Sequence, residues 1–159
     1  MSQSQASEEA NTLLVVDDEP DILNAIKQTL QSDGYNILTA QNGQDGLEIL
    51  AKHPVCVIIS DQSMPEMSGV KFLSRAKELY PGTIRMVLSD YTELKTITDA
   101  INSGDIHKFL TKPWDDELLR ANVRETFQRY QVNLENQRLT RELRKANKTL
   151  ANLYSSRKE

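Results

Sequence analysis

Five polar residues of this chain are spaced so that they could act together on a phosphate group. Asp17-Asp18, Asp61, Ser89 and Lys112 each follow a short apolar run of the kind that forms a buried β-strand. Three carboxylates in one place repel one another and stay ionised together only beside a cation. A hard divalent ion such as Mg²⁺, which takes carboxylate, carbonyl and water oxygens as ligands, suits that cluster.

The same residues suit the transfer of a phosphoryl group. A carboxylate can attack phosphorus to form an aspartyl phosphate, and Asp61 is the candidate nucleophile. Transfer also needs charge stabilisation around the equatorial phosphoryl oxygens. Ser89 can donate a hydroxyl hydrogen bond to one of these oxygens, and Lys112 can pair with another.

Apolar runs and helical patterns alternate along the first three quarters of the chain. The runs predicted to be strands are 13–16, 35–40, 55–59, 84–88 and 108–110, and hydrophobic residues recur at helical spacing between them. Continuous apolar strands separated by helices indicate a parallel sheet that is covered on both faces. We therefore expect an α/β fold with a doubly wound, five-stranded parallel sheet, in which the carboxyl ends of the strands converge on one crevice.

Four stretches of the chain resemble, in order, the signature segments of receiver domains from bacterial two-component response regulators, including chemotaxis regulators. They are VVDDEP, SDQSMPEMSG, the VLS of the fourth predicted strand, and FLTKPW. The resemblance covers about residues 12–127. It implies a flavodoxin-like strand order of 2-1-3-4-5 and a role in a phosphorelay, with a histidine kinase or a histidine phosphotransfer protein as the partner that donates the phosphoryl group.

The resemblance also implies roles for the acidic residues. Asp61 corresponds to the phosphoacceptor. Asp17 and Asp18 correspond to Mg²⁺ ligands, Asp18 the more direct of the two, and Asp61 and the backbone carbonyl of Ser63 are expected to complete the protein ligands.

The remaining signature residues correspond to the switching apparatus of the family. Ser89 and Phe109 match the switch hydroxyl and the switch aromatic, and Lys112 matches the lysine that precedes a cis-proline, here Pro113. One position departs from the family pattern. The residue after the switch hydroxyl is usually small, but here it is Asp90, whose carboxylate is expected to alter the access of the phosphodonor or of water.

The C-terminal part of the chain is predicted to be one long helix, because residues 115–155 contain no proline or glycine. It carries two apolar stripes that are out of register. The first comprises Val123, Phe127, Tyr130 and Leu134, and the second comprises Val132, Leu139, Leu143, Ala146, Leu150 and Leu153, with polar Asn136 interrupting it. We expect the first stripe to pack on the receiver and the second, in a helical linker over 128–159, to form a parallel homodimeric coiled coil. A single solvated helix is the alternative.

Composition restricts the class of protein. With 38% hydrophobic and 26% charged residues the chain should be soluble and have a packed core. No apolar run reaches the length of a membrane span, the polar residues 1–11 are expected to be a disordered tail, and the single cysteine, Cys56, fits a reducing, cytoplasmic location. The net charge of −4 divides into −9 on residues 1–127 and a basic tail, and this acidic body argues against binding of nucleic acid.

Three functional hypotheses remain open at this point. The chain could be a phosphorylation-controlled switch whose output domain follows Glu159, for example a phosphodiesterase, a cyclase or a phosphatase. It could instead be a stand-alone regulator that acts by protein contact. A Mg²⁺-dependent phosphohydrolase is the third, but the position two residues after Asp61, where a general acid would be needed, is Ser63. We therefore expect the chain itself not to be an enzyme.

Overall fold

A computed structural model describes residues 11–158, so that residues 1–10 of the predicted tail lie outside the described residues. Strands and helices alternate along it, and a 3₁₀ turn at Tyr91–Glu93 precedes the fourth helix. The strands are β1 (Thr12–Val16), β2 (Asn36–Ala40), β3 (Val57–Asp61), β4 (Ile84–Ser89) and β5 (Lys108–Thr111). The helices are α1 (Pro20–Gln31), α2 (Gly43–Lys52), α3 (Gly69–Leu79), α4 (Leu94–Asn102) and α5 (Asp116–Lys158).

The five strands form one parallel sheet in the order β2-β1-β3-β4-β5, which confirms the predicted fold. The third strand lies further along the chain than its apolar run suggests. It begins at Val57, which pairs with Leu13, and it includes Asp61, which pairs with Leu88 of β4. Asp61 is therefore held by the hydrogen-bond ladder of the sheet and does not belong to the loop.

Hydrophobic cores lie on both faces of the sheet. Successive strand residues point to opposite faces, and so Leu13 and Val15 pack against α1 and α5 while Leu14 and Val16 pack against α2, α3 and α4. The three central strands, β1, β3 and β4, are buried along their whole length, whereas the edge strands β2 and β5 are partly exposed. The helices contribute Leu23, Ile26, Leu30, Phe72, Leu73, Ala76, Ile97, Leu119, Val123 and Phe127 to these cores.

One charged side chain lies inside this apolar framework, at the amino-terminal end of the sheet. Arg85 of β4 is only 2% exposed, and its guanidinium group donates to the backbone carbonyls of Thr83, Gly104 and Asp105. The neighbouring His107 accepts a hydrogen bond from the backbone N–H of Arg85 on its Nδ1, at 3.0 Å. Burial, followed by the positive charges of Arg85 and Arg129, lowers the pKa of His107 to about 4.

Helix α5 is continuous and extends well beyond the sheet. Over its first part Leu119, Val123 and Phe127 are buried, and the ring of Phe127 stacks on Tyr35 with the ring centroids 4.5 Å apart. From residue 131 to residue 157 every side chain is exposed. Of the first predicted stripe, Val123 and Phe127 are buried and Tyr130 packs partly against the core, but Leu134 is 41% exposed and does not join it.

Helix α5 is long but polar. Across the described ranges of the chain, no helix combines the length and the hydropathy that crossing a membrane requires.

Candidate functional site

The sheet brings the acidic residues together at its carboxyl edge. Asp17 directly follows β1, and Asp61 is the last residue of the adjacent strand β3. Carboxylate oxygens of Asp17, Asp18 and Asp61 all lie within 4.8 Å of one another. Asp17 and Asp61 are buried, whereas Asp18 is more exposed.

Lys112 bridges the two buried carboxylates from the end of β5. Its Nζ lies 2.9 Å from Oδ2 of Asp17 and 3.0 Å from Oδ1 of Asp61. The peptide bond that follows, between Lys112 and Pro113, is cis, as the resemblance implies. This geometry connects the ends of β1, β3 and β5 in a single cluster.

Electrostatics in the cluster act in opposite directions on its members. Burial raises the pKa of Asp61, the negative charges of Asp17 and Asp18 raise it further, and Lys112 opposes the rise. For Lys112, burial lowers the pKa, but its hydrogen bonds to Asp17 and Asp61 outweigh this, so that the net shift is upward. Lys112 therefore stays protonated, and its single positive charge balances only one of three carboxylates.

The two neighbouring aspartates differ in how they are held. Asp17 uses both carboxylate oxygens, because Oδ1 accepts the backbone N–H of Glu19 at 2.9 Å while Oδ2 accepts from Lys112. Asp18 is the more exposed of the pair. Asp17 is therefore a structural member of the cluster, and Asp18 is placed to meet a ligand from solvent.

The donor set fits a hard divalent cation. All three acidic side chains offer oxygen, the ligand atom that Mg²⁺ prefers. Their three negative charges and the one positive charge of Lys112 leave a surplus of two, which is the charge of such an ion. The residues present are thus chemically suited to Mg²⁺.

The loop between β3 and α3 is fixed by two residues whose importance is not evident from the sequence. A Cβ atom on Gly69 would lie 2.2 Å from the backbone carbonyl oxygen of Asp61, so that only glycine fits at this position. Gln62 is buried, and its side-chain Oε1 accepts the backbone N–H of Val70 at 2.8 Å. A turn signal alone indicates Gly69 only as a helix start, and no local pattern marks Gln62.

The predicted switch residues lie on neighbouring strands. Ser89 is the last residue of β4, is buried, and donates its hydroxyl hydrogen to the backbone carbonyl of Asp90 at 3.0 Å. Phe109 lies on β5 opposite Val87 of β4 and is partly exposed, with its ring packed against the core that contains α4. The two side chains belong to adjacent strands of one ladder.

Asp90 has a local structural role that its sequence position did not reveal. Its carboxylate caps the 3₁₀ turn and accepts from both the backbone N–H and the hydroxyl of Thr92. The turn ends at Glu93, whose Oε2 accepts the hydroxyl hydrogen bond of Ser63 at 3.3 Å. The loops after β3 and β4 are therefore linked across the edge of the site.

Comparison with known proteins places this arrangement in a family. The family described as response regulator receiver domain matches residues 13–124, which is most of the chain. The chain belongs to the response regulator receiver domain family. The four stretches that carry the sequence resemblance are the ones that supply Asp17, Asp61, Ser89 and Lys112 to the site.

Relatives of this receiver domain include longer regulators and solved receiver structures. The hydrogenase transcriptional regulatory protein HoxA of Bradyrhizobium diazoefficiens is 38% identical over 124 residues, which are 78% of this chain and 25% of HoxA. The crystal structure of an uncharacterised protein from Neptuniibacter caesariensis is 40% identical, with a TM-score of 0.76 over 79% of this chain and 93% of that one. The beryllofluoride-activated NtrC4 receiver domain dimer is 29% identical, with a TM-score of 0.70 over 76% and 98%. This chain spans about a quarter of the length of HoxA.

Proposed function

We propose that this receiver domain accepts a phosphoryl group on Asp61 from a histidine kinase or a histidine phosphotransfer protein. The observation that carries the proposal is the environment of that carboxylate. It is held in the sheet ladder, is 7% exposed, lies 3.0 Å from a lysine, and shares a crevice with two further carboxylates. This arrangement has a nucleophile, a cation for the phosphoryl oxygens and ligands for a metal within one site.

The transfer is a single displacement at phosphorus. A carboxylate oxygen of Asp61 attacks, the new O–P bond forms as the N–P bond of the phosphohistidine breaks, and the bonding electrons remain on the imidazole nitrogen, which takes up a proton. Lys112 then pairs with a phosphoryl oxygen in place of the Asp61 carboxylate that it contacts in this structure. Ser89 donates its hydroxyl hydrogen bond to a second phosphoryl oxygen.

Mg²⁺ is the proposed cofactor. Asp17, Asp18, Asp61 and the backbone carbonyl of Ser63 would hold it. A bound divalent ion neutralises charge on the phosphoryl group in transit. Its proposed site also explains why Asp18 extends toward solvent while Asp17 is engaged by Lys112 and the Glu19 amide.

The phosphorylated domain is proposed to switch through Ser89 and Phe109. A phosphoryl oxygen on Asp61 offers Ser89 an acceptor in place of the Asp90 carbonyl, and the loop after β4 moves with it. Phe109 occupies the space that this movement opens, because its ring lies on the adjacent strand and is only partly buried. Such a change has two discrete arrangements, as a switch requires.

Intact-mass spectrometry tests the acceptor. Acetyl phosphate with Mg²⁺ is expected to add one phosphoryl group per chain to the parent and to Asp99→Asn, whose carboxylate lies on the exposed surface of α4, and none to Asp61→Asn. Labelling of Asp61→Asn to the parent's extent would refute the proposal. Rapid multiple turnover on small phosphate esters would identify a phosphohydrolase instead.

We further propose that helix α5 pairs with a second copy of the chain in parallel. Its projecting half carries an apolar stripe at heptad spacing that is open to solvent, with Val132 57% and Leu143 62% exposed. Asn136 would face its own copy across the seam, which fixes the register of a helix pair. The comparison with a receiver domain dimer, NtrC4, supports association as a property of such domains.

Sedimentation of the full chain tests the helix pair. Leu143→Glu is expected to weaken the dimer at least tenfold, roughly the cost of burying an unpaired charge in a seam. Leu79→Glu is the matched control, because Leu79 is equally exposed but lies on α3, away from the stripe. The proposal fails if the parent is monomeric, or if both variants associate as the parent does.

A further inference from the structure

Lys108 ties the strand that carries Phe109 to helix α5. Its Nζ donates to Oδ1 of Asn122 at 2.8 Å and to Oε2 of Glu125 at 2.6 Å. The side chain of Lys108 is 23% exposed, whereas that of Glu125 is 65% exposed. The ammonium group is thus partly shielded while its acidic partner lies at the surface, on the outer side of the helix.

Asn122 and Glu125 belong to the heptad pattern of the proposed seam. Positions seven residues apart return to nearly the same face of a helix. Glu125 lies seven residues before Val132, and Asn122 lies fourteen residues before Asn136. The face that is apolar and exposed from Val132 onward is therefore polar at Asn122 and Glu125, where Lys108 contacts it.

This placement determines where a helix pair can begin. If two α5 helices met along this face above Val132, the two Glu125 carboxylates would lie close together, with each ammonium group of Lys108 between the helices. Each ammonium group and its polar partners would have to lose water to fit between the helices, which costs free energy. The seam is therefore expected to begin at Val132 while Lys108 holds Asn122 and Glu125.

Strand β5 lies at one edge of the sheet, next to helix α5. It is an edge strand and pairs only with β4. On its other flank α5 is anchored to the loop after α1, where Arg120 forms an ion pair with Asp33 at 2.9 Å. The helix is thus held at one flank to the body of the domain and at the other to the strand that carries the proposed switch aromatic.

We propose that Lys108 couples the state of Phe109 to the association of α5, by transmitting a displacement of β5 to Asn122 and Glu125, which lie on the face of α5 that continues into the seam. The proposal rests on phosphorylation of Asp61 and on the helix pair described above. Lys108 is the neighbour of Phe109 in the strand, so a rotation of the ring that shifts β5 also shifts the attachment point of the ammonium group. The Arg120–Asp33 pair then serves as the pivot about which α5 turns.

The test measures the dissociation constant of the dimer that the full chain forms, once with beryllofluoride and Mg²⁺ and once without them. In the parent the two constants are expected to differ at least about fivefold, the lower end of usual coupling between sites. In Lys108→Met, which keeps the aliphatic stem, they are expected to agree within about twofold. Lys71→Met, on the exposed surface of α3, is the matched control and should keep the parent's ratio.

A charge-reversed pair separates coupling from simple damage. Lys108→Glu combined with Glu125→Lys rebuilds the ion pair with opposite polarity and is expected to restore at least half of the parent's effect on a logarithmic scale. Glu125→Gln is a second test if Lys108→Met folds poorly, since Glu125 is exposed, and it should also reduce the ratio. A parent-like ratio in Lys108→Met, or in Glu125→Gln if the former is unfolded, overturns the proposal, as does a parent whose association ignores beryllofluoride.

Intact-mass measurement of acetyl-phosphate labelling on the same proteins distinguishes failure of the proposed function from failure of the coupling alone. A parent that is not labelled on Asp61 refutes the proposed function, and the coupling with it. A labelled parent whose Lys108→Met variant keeps the full ratio refutes the coupling alone.

Discussion

The ammonium group of Lys112 lies 2.9 Å from the carboxylate of Asp17, although 95 residues separate them in the chain. The same Nζ lies 3.0 Å from Asp61. Parallel strands allow this contact because their carboxyl ends share one edge of the sheet. In this arrangement Lys112 stabilises two buried carboxylates, and the proposed phosphorylation of Asp61 would require it to exchange one of these contacts.

Replacing Asp17 and replacing Asp18 should have different effects on the free energy of unfolding. Asp18→Ala is expected to abolish Mg²⁺-dependent phosphorylation and to leave the free energy of unfolding without metal unchanged or up to about 1 kcal/mol higher, because one of several crowded negative charges is gone. Asp17→Ala should lower it by about 1–3 kcal/mol, because the Glu19 amide and Lys112 lose an acceptor. Urea denaturation in EDTA measures both. A destabilised Asp18→Ala would show that Asp18 has a structural partner.

Gly69 should be irreplaceable for reasons of space alone. In Gly69→Ala the new methyl group would overlap the carbonyl oxygen of Asp61, so the loop after β3 must shift and the free energy of unfolding should fall by at least about 2 kcal/mol. Gly82→Ala is the matched control, because nothing lies within 4 Å of a Cβ at that position, and it should change stability by less than about 0.5 kcal/mol. Equal stability of the two variants would contradict the close approach.

The order of the strands, the fold class and the long helix could all be predicted from the sequence, although β3 begins and ends two residues later than its apolar run. Each depends on local hydrophobic period, and the meeting of Asp17, Asp61 and Lys112 then follows from the geometry of a parallel sheet. The shift from one apolar stripe to the other along α5 could also be predicted, because each stripe follows a regular helical spacing.

Other features could not be predicted, because they depend on backbone atoms brought together by the tertiary fold. Arg85 occupies a strand position that is predicted to be core, and carbonyl groups from the loops before β4 and β5 offset the cost of burying it. The buried amide of Gln62 and the contact of Lys108 with α5 likewise involve partners that no short motif encodes.

His107 should make stability depend on pH in a mildly acidic range. Its pKa is about 4 in the folded protein against an ordinary value of 6.5, so the unfolded chain binds a proton more readily. The stability that depends on a neutral His107 is full above about pH 6.5 and falls as the pH drops toward 4, by no more than about 2 kcal/mol because the ring is partly exposed. The fall in unfolding free energy between pH 7 and pH 4.5 should be smaller in His107→Asn than in the parent, and unchanged in His53→Asn, whose ring is exposed. Identical pH profiles for the parent and His107→Asn would refute this role.

Ser89 should be needed for switching and not for accepting the phosphoryl group. Ser89→Ala is expected to be labelled on Asp61, more slowly than the parent, because one hydrogen bond to the phosphoryl oxygens is missing. The NMR shifts around Phe109 that accompany labelling of the parent should be absent from the variant. Ser155→Ala, on the projecting half of α5, should show them in full. Parent-like shifts in Ser89→Ala would break the proposed link between the two residues.

The most direct measurement locates the phosphoryl group itself. Borohydride reduces an aspartyl phosphate to homoserine, so that peptide mapping after acetyl phosphate and Mg²⁺ treatment reports which carboxylate was modified. Homoserine is expected at position 61 in the parent, with none when EDTA replaces Mg²⁺ and none in Asp61→Asn. Homoserine at another aspartate of the parent, or a phosphorylated protein with no reducible carboxylate, would contradict the assignment of Asp61 as the phosphoacceptor.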